Sequence, residues 1–161
     1  MKKFIAVLLT LILVLGATSA LADDMKKPLK VGVTIYQFND NFMTLYRTEL
    51  QKYLEETYGA EVTVVDGKND QTEQTNQINN FITDQVDVMI LNLVQSSSAP
   101  QVTDMCNEAG IPVVYINRQP DETESDRWAS DGLKATYIGA DARQSGTFQG
   151  ELIADLGLDA I

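Results

Sequence analysis

The sequence predicts an α/β fold in which helices flank an open parallel sheet. Short β-rich apolar runs alternate along the chain with segments whose apolar residues recur at helical spacing. The β-rich runs hold too few polar residues to have a solvated face, which is typical of strands buried on both faces of a parallel sheet. Their spacing fits βαβ units with right-handed crossovers, and these units build one sheet.

The first 22 residues predict a secretory signal peptide, which is not part of the fold. Two lysines precede a continuous apolar run over residues 4–15, and an A-x-A cleavage motif occupies residues 20–22. The apolar run is too short to span a bilayer. The alternative is an uncleaved anchor helix. We expect export through a cleaved signal, with a mature chain that begins at Asp23 and has no cysteine there for a lipid anchor.

The first βα unit occupies residues 29–59. The run LKVGVTIY at residues 29–36 predicts the first strand. Asn39 and Asp40 offer caps for the helix that follows, and Gly59 ends that helix. Apolar residues recur at helical spacing at Phe42, Tyr46, Leu50, Tyr53 and Leu54.

The second unit contains a predicted strand at residues 61–65, then a polar stretch at residues 68–77, then a helix. The Asn-Asp-Gln sequence at residues 69–71 predicts a helix cap rather than a ligand contact. The residues that mark the helix are Ile78, Phe81, Ile82 and Gln85. Residues 87–93 predict a third strand with an apolar core.

The third unit predicts a loop and helix start at residues 95–98, a helix stopped by Gly110 and a fourth strand at residues 111–116. The helix is marked by Val102, Met105, Cys106 and Ala109. Because Cys106 lies on this apolar stripe, we expect a buried and inert thiol.

The alternation breaks after Asn117. Residues 118–134 are polar and acid-rich, which indicates a linker or surface excursion, and Trp128 within it is interpreted as a surface or inter-lobe packing residue. A further βα unit begins at residues 136–139, with Asp141 as the N-cap of its helix. One strand and one helix cannot bury a core alone. This unit therefore either docks on the first sheet or belongs to a lobe that this chain does not complete.

The composition excludes several classes of protein. The 161 residues include 12 Lys and Arg, 23 Asp and Glu, no His and one Cys, for a formal net charge of -11. Without His there is no Ser-His-Asp triad and no His-bearing zinc or haem site. A lone cysteine forms no internal disulfide. The acidic charge argues against a nucleic-acid partner, because such affinity depends on a basic patch.

The strongest candidate site is the YQFNDNF loop after the first predicted strand, because ligands of open α/β sheets bind outside the carboxyl ends of strands. Its aromatic rings suit the apolar face of a sugar, with Phe42 able to stack beside Tyr36. Asp40 could accept two sugar hydroxyls, and Asn92 at the end of the third strand would bring an amide to the same edge. The structural alternatives are as strong: Asp40 as a helix N-cap and Phe42 as a core staple.

Arg118, just past the fourth strand, could reach a polar ligand or pair with local acidic residues, and pairing is the stronger expectation. Catalysis finds little support, because a glycosidase needs two carboxylates at a set separation and the sequence reveals no such pair. It also contains no Gly-rich phosphate loop of the common types. An exported α/β glycoside hydrolase with Asp40 as a catalyst remains the enzymatic alternative.

In order and spacing, five blocks of the chain resemble the galactose/glucose-binding periplasmic proteins of sugar ABC transporters. The blocks are VGVTIYQFNDNFM (31–43), KNDQTEQTNQI (68–78), ILNLV (90–94), IPVVYINRQP (111–120) and YIGAD-x3-G-x3-G (137–150). The resemblance covers nearly all of the mature chain, and its first block is the most specific. A ribose-type relative would share the sheet but not the Tyr-x-x-x-Asp-x-Phe loop.

The resemblance implies a type I periplasmic binding protein lobe from a two-lobed protein that closes on its sugar at the interface between the lobes. That protein would be a monomer that binds a hexose, D-galactose or D-glucose, and delivers it to an ABC transporter permease. In some bacteria such proteins also present the sugar to a chemoreceptor. No cofactor is implied for this chain, because the family's calcium loop would lie beyond its last residue.

The resemblance also implies roles for individual residues. Asp40 and Asn92 match hydroxyl-binding residues of the first lobe. Phe42 matches the aromatic ring that stacks on one sugar face, and Tyr36 lies beside it. Arg118 stands where ribose-type proteins have an arginine and galactose/glucose proteins commonly differ.

On this resemblance the chain divides into a signal peptide (residues 1–22), an amino-terminal sugar-binding lobe (23–117) and a crossover with the start of a second, truncated lobe (118–161). A ribose-type sugar-binding protein is the nearest alternative. A sugar-responsive repressor shares the sheet architecture but needs a DNA-reading helix-turn-helix at the amino terminus, where this chain carries the predicted export signal.

Overall fold

The computed structural model describes residues 27–157. The predicted signal peptide, residues 1–22, lies outside the described residues. Within the described part of the chain, no helix combines the length and the apolar character that crossing a bilayer requires.

Five parallel strands form one sheet. The strands are β1 (Lys30–Ile35), β2 (Glu61–Asp66), β3 (Val88–Leu91), β4 (Val113–Ile116) and β5 (Ala135–Ile138). Their spatial order is β2-β1-β3-β4-β5, and every neighbouring pair is parallel. The predicted parallel α/β fold is therefore confirmed. The chain changes its direction of travel across the sheet between β1 and β3, and such a switch point leaves a crevice at the carboxyl ends of the strands.

Five α-helices follow the strands. They are α1 (Asn41–Tyr58), α2 (Gln71–Thr83), α3 (Ala99–Glu108, after a 3-10 turn at Ser96–Ser98), α4 (Glu122–Ser130) and α5 (Ala142–Asp155). Asp40, Asp70 and Asp141 each cap a helix by accepting backbone N–H groups of the first turn, as the sequence predicts. Gly59 ends α1 in the left-handed conformation, with φ 62°, which glycine adopts without steric penalty.

Apolar side chains fill both faces of the sheet. Phe81 of α2, Cys106 of α3 and Trp128 of α4 pack on one face, and Met43 of α1 packs on the other. The burial of Cys106 confirms the predicted buried thiol. A Cβ on Gly32 of β1 would lie only 2.7 Å from the Phe81 ring, so this interior strand needs a glycine where α2 crosses it.

Two predictions about α2 are wrong. The polar stretch at residues 68–77 is predicted to precede the helix, yet the helix begins at Gln71, directly after its cap Asp70, and buries Gln74 and Gln77. Gln85 was counted among the helical residues, but it lies beyond the helix end with φ 52°.

The predicted surface excursion at residues 118–134 contains α4 and part of the core. Trp128 is 7% exposed and stacks on Tyr115, with the ring centroids 5.4 Å apart. The interpretation of Trp128 as a surface or inter-lobe residue is therefore wrong. Composition was misleading here because most polar residues of α4 face solvent while its one large ring points into the core.

The strand predicted at residues 136–139 docks on the first sheet, which was one of the two alternatives. As β5 it pairs in parallel with β4, with Ile138 opposite Ile116. The sheet therefore continues past residue 117 to Ile138, and the division into lobes at residues 117 and 118 stays a prediction. In α5 the described side chains, residues 143–155, are all exposed.

Candidate functional site

The carboxyl ends of β1, β3 and β4 lie side by side in the sheet. Tyr36 follows β1, Asn92 follows β3, and Arg118 lies two residues after β4. Asp40 is the N-cap of α1, and Phe42 is the second residue of that helix. All five predicted site residues therefore belong to the same edge of the sheet.

Tyr36 contacts three of the other predicted residues. Its Oη donates to Asp40 Oδ2 at 2.7 Å, and its ring lies 3.8 Å from Cζ of the Arg118 guanidinium. Its backbone N–H donates to Asn92 Oδ1 at 3.3 Å. These contacts join the ends of three strands. We call Tyr36, Asp40, Asn92 and Arg118 the strand-end cluster.

Asp40 caps α1 and also keeps carboxylate lone pairs that can accept hydrogen bonds from a ligand. Its Oδ1 accepts from the Met43 N–H at 2.7 Å, which caps α1 and confirms the capping alternative. That bond and the one from the Tyr36 hydroxyl lower the pKa of Asp40, and the hydrogen bond to the carboxylate raises the pKa of Tyr36. Asp40 is therefore ionised at neutral pH. Each of its oxygens keeps a further lone pair, and the half-buried side chain can accept additional hydroxyl groups.

Arg118 is anchored by backbone carbonyls. Its Nη1 donates to Val94 O at 2.6 Å and to Leu93 O at 3.3 Å, while the guanidinium stacks on Tyr36. Within residues 27–157 no ion pair includes Arg118, so the expectation that it pairs with local acidic residues is wrong. Its charge is still close enough to help lower the pKa of Asp40. A half-buried guanidinium fixed through one nitrogen keeps other donors for a ligand.

Asn92 is fully buried. Its Nδ2 donates to Ile116 O at 3.3 Å, and its Oδ1 accepts from the Tyr36 N–H. The amide therefore links β1, β3 and β4 directly at the predicted site. Its contact with a ligand stays a prediction.

Phe42 projects outward, with 62% of its surface exposed. Its ring lies 6.0 Å from the Tyr46 ring at a tilted angle. The alternative of a core staple is therefore wrong, and the ring is accessible to a ligand. Phe42 also begins an apolar groove of about 400 Å³ along the outer face of α1. The groove is lined by Phe42, Leu45, Tyr46, Glu49, Leu50 and Tyr53.

Gln74 organises this edge of the sheet and was missed by the sequence analysis. It is fully buried in α2. Its Nε2 donates to Thr34 Oγ1 at 2.8 Å and to Asn92 O at 2.9 Å, and its Oε1 accepts from the Val94 N–H at 2.7 Å. A signal was present in the sequence, because Gln74 lies four residues before Ile78 and so shares the buried face of the helix.

The site therefore offers a carboxylate acceptor, guanidinium donors and an accessible aromatic ring. Hydroxyl groups can both donate to a carboxylate and accept from a guanidinium, and C–H groups pack on aromatic faces. This set suits a polyhydroxylated ring. Among residues 27–157, no group of three or more Asp, Glu or Cys side chains could hold a metal ion.

A comparison with protein families places the chain among known proteins. A profile of the periplasmic binding protein domain matches residues 31–158. The chain belongs to this periplasmic binding protein family. Its parallel five-stranded sheet with flanking helices has the type I fold of these proteins.

Two curated relatives of this periplasmic binding protein share about a third of its residues. The D-galactose/methyl-galactoside binding periplasmic protein of Haemophilus influenzae is 34% identical over 125 residues, which cover 78% of this chain and 37% of the relative. The putative rhizopine-binding protein of Rhizobium meliloti is 31% identical over 156 residues, which cover 97% of this chain and 46% of the relative.

A solved structure of similar fold is the ABC transporter solute-binding protein from Bacillus halodurans C-125 with bound myo-inositol. It is 32% identical, with a TM-score of 0.69, over 83% of this chain and 43% of that one. The chain spans less than half the length of each of these three proteins.

Proposed function

We propose that this chain forms a ligand-binding lobe of an exported sugar-binding protein that serves an ABC transporter. The observation that carries the proposal is the strand-end cluster next to the exposed ring of Phe42. The similar proteins support it, because their names give D-galactose or methyl-galactoside, rhizopine and myo-inositol as what they bind. The signal peptide predicted at residues 1–22 supports export.

The proposed ligand is a polyhydroxylated six-membered ring. Pyranose D-galactose and myo-inositol both carry hydroxyl groups around the rim of such a ring and C–H groups on its faces. Phe42 would stack on one face, Asp40 would accept from rim hydroxyls, and Arg118 would donate to a neighbouring oxygen. A hexose such as D-galactose or D-glucose is the first candidate. A cyclitol is the second, favoured by the myo-inositol in the solved relative.

Delivery of the sugar to an ABC transporter permease belongs to the same proposal. Presentation to a chemoreceptor is a further prediction that rests on the resemblance alone. The permease and the chemoreceptor would both need to distinguish the ligand-bound protein from the empty one. Closure of the protein around its ligand is the usual structural difference between these two states.

We favour binding over glycoside hydrolysis. A general acid for this reaction needs a raised pKa, whereas the Met43 N–H and the Tyr36 hydroxyl lower the pKa of Asp40. The family match and the names of the relatives also describe binding proteins.

Isothermal titration calorimetry of the protein expressed from its full reading frame tests the proposal. The ligands are D-galactose, D-glucose, myo-inositol and D-ribose. We expect saturable binding of at least one of the first three. Ribose should bind at least about tenfold more weakly, because it lacks the hydroxymethyl group of a hexopyranose and would leave polar groups of the site unpaired.

Each outcome assigns or rejects a ligand class. Preference for myo-inositol would replace the hexose assignment with a cyclitol, and preference for ribose would make this a ribose-type protein. The absence of binding heat with all four ligands would contradict the proposed function. Release of nitrophenol from a chromogenic galactoside, abolished by Asp40→Asn, would instead support the hydrolase.

A further inference from the structure

We infer that Gln74 is a positioning residue for the strand-end cluster. Its buried amide fixes the segment Asn92–Val94, which follows the last residue of β3. Through this segment it holds Arg118 and Tyr36 in their observed geometry. The part of this inference that concerns ligand affinity rests on the proposed function.

The side-chain amide of Gln74 forms hydrogen bonds to β1 and to the segment that follows β3. Nε2 donates to Thr34 Oγ1 of β1 at 2.8 Å and to Asn92 O at 2.9 Å. Oε1 accepts from the Val94 N–H at 2.7 Å. One helix residue therefore bonds to both ends of the three-residue segment and also ties the segment to β1.

Other polar groups of the same segment accept hydrogen bonds from Arg118 and Tyr36. Val94 O accepts from Arg118 Nη1 at 2.6 Å, and Leu93 O accepts from the same nitrogen at 3.3 Å. Asn92 Oδ1 accepts from the Tyr36 N–H. A displacement of this segment would consequently move both the guanidinium and the aromatic ring on which it stacks.

Burial makes the Gln74 amide difficult to replace. Gln74 and Asn92 are both fully buried. Without the amide, the buried Asn92 carbonyl and the half-buried Val94 N–H would both lose their protein partner, and such unpaired groups are costly. The segment relieves this cost by moving toward water. Gln74 is thus coupled, through Asn92 and Val94, to Tyr36 and Arg118, with which it shares no hydrogen bond.

The matched control is Gln77, one turn further along α2. It is also buried, but its Nε2 donates to Asp66 O of β2 at 2.6 Å and to Glu73 Oε1 at 3.1 Å. Its bonds therefore reach β2 and its own helix and leave the segment after β3 untouched. Gln77→Met removes a buried amide of the same kind from the same helix.

The experiment compares Gln74→Met with Gln77→Met. We measure the affinity for whichever six-membered ring the wild-type protein binds, together with the NMR signals of the Arg118 Nε–H and the Tyr36 amide. For Gln74→Met we expect about tenfold weaker binding and shifts of both signals, because the site loses preorganisation. For Gln77→Met we expect both signals to remain in place and the affinity to change less than twofold.

An equal effect of the two substitutions on affinity, or unmoved Arg118 and Tyr36 signals in Gln74→Met, would overturn the inference. If wild-type protein binds none of the ligands, the proposed function fails, and the two NMR signals alone decide the positioning role. If Gln74→Met does not fold, hydrogen exchange at the Val94 amide of wild-type protein decides. Protection supports the bond from Val94 to Gln74, and exchange as fast as in an open loop contradicts it.

Discussion

Tyr36 is the central residue of the candidate site. Its hydroxyl, ring and backbone N–H each contact a different predicted site residue. The hydroxyl stabilises the charge of Asp40, the ring supports Arg118, and the N–H reaches Asn92. Through these contacts, the charge of Asp40 and the position of Arg118 both depend on Tyr36. This holds even if Tyr36 itself does not contact the ligand.

Replacing Phe42 distinguishes a ligand-stacking ring from a structural one. Because this ring is 62% exposed, we expect Phe42→Ala to change the free energy of unfolding by no more than about 0.5 kcal/mol. We expect the affinity for the sugar to fall about tenfold, since a stacked ring contributes both area and aromatic contact. Denaturant unfolding and calorimetry measure the two effects.

Phe148 of α5 provides the control for this prediction. Its ring is 58% exposed, and it lies on a helix that contributes none of the predicted site residues. Phe148→Ala should preserve both stability and affinity. A large loss of stability in Phe42→Ala, or unchanged affinity, would rule out the stacking role.

Asp40 caps α1, and one substitution can separate this cap from the proposed role of Asp40 as a ligand acceptor. Asparagine is as good an N-cap as aspartate, so Asp40→Asn should keep α1 intact while removing the charge. We expect sugar affinity to fall at least about tenfold, because a charge-assisted acceptor is stronger than a neutral one. Circular dichroism and calorimetry provide the readouts. Asp70→Asn, the same change at the cap of α2, should leave affinity unaltered, and unchanged affinity in Asp40→Asn would refute the acceptor role.

At the scale of elements, α4 is held to the molecule by a buried carboxylate. Glu124 accepts from Trp128 Nε1 at 2.6 Å and from Arg127 through two nitrogens at 2.8 and 3.0 Å. Arg127 in turn donates to Asp104 Oδ1 of α3 at 2.7 Å. Burial opposes ionisation of Glu124, but the hydrogen bonds from Arg127 and Trp128 help to outweigh it, and its pKa is lowered. These contacts attach an acid-rich helix to the core.

We expect Glu124→Ala to lower the free energy of unfolding by about 2 kcal/mol or more, because it leaves the buried Trp128 N–H without its acceptor. The control is Glu122→Ala in the same helix, whose side chain is 74% exposed and pairs with exposed Arg143. Its effect should not exceed about 0.5 kcal/mol. Urea unfolding compares the two, and similar effects would contradict a special role for Glu124.

The same carboxylate predicts a pH dependence of stability. Because folding lowers the pKa of Glu124, its ionised form stabilises the folded state above the unfolded-state pKa of about 4.3. This contribution is lost as pH falls through the lower, folded-state pKa. Glu124→Gln should show a shallower decline of stability in acid than wild type in urea unfolding at a series of pH values. Parallel declines in the two proteins would refute it.

At the scale of the whole molecule, the two faces of the sheet are covered unequally. Core residues of α2, α3 and α4 pack on one face, while α1 supplies the helical core residues of the other. On β5 the alternate residues Thr136 and Ile138 are exposed. The best-buried region is therefore the one beneath the three helices, and this region should open only when the fold as a whole unfolds.

Chemical labelling of the Cys106 thiol measures how often this region opens. It is the only cysteine, it is 1% exposed, and burial raises the pKa of its thiol to about 12. We expect a thiol reagent at pH 8 to label native protein only through unfolding, at a rate that rises with urea in step with the unfolding equilibrium. Labelling without urea as fast as that of an unstructured peptide would contradict this packing.

Much of the fold and part of the site follow from local patterns. Strand runs, apolar helical periodicity and capping residues depend on neighbours within a few positions, so β1, α1 and the caps at Asp40 and Asp141 were predictable. The cap of α2 was predictable too, but its first helical residues were not, because they bury glutamines instead of apolar side chains. Composition alone likewise placed Trp128 outside the core.

The sequence alone was enough to predict a parallel α/β sheet with a polar and aromatic loop at its edge. Each strand run, helical period and cap depends on residues within one element, and the alternation of these elements predicts the sheet. The tertiary structure decided which side chains are buried and which are accessible. Phe42 is exposed although it lies at helical spacing, and Asn92 is buried although it ends a strand. Gln74 and Asn92 are 18 residues apart, and Tyr36 and Asn92 are 56 apart. Their hydrogen bonds exist only once the strands lie side by side, because a side chain's partners are set by elements distant in the chain.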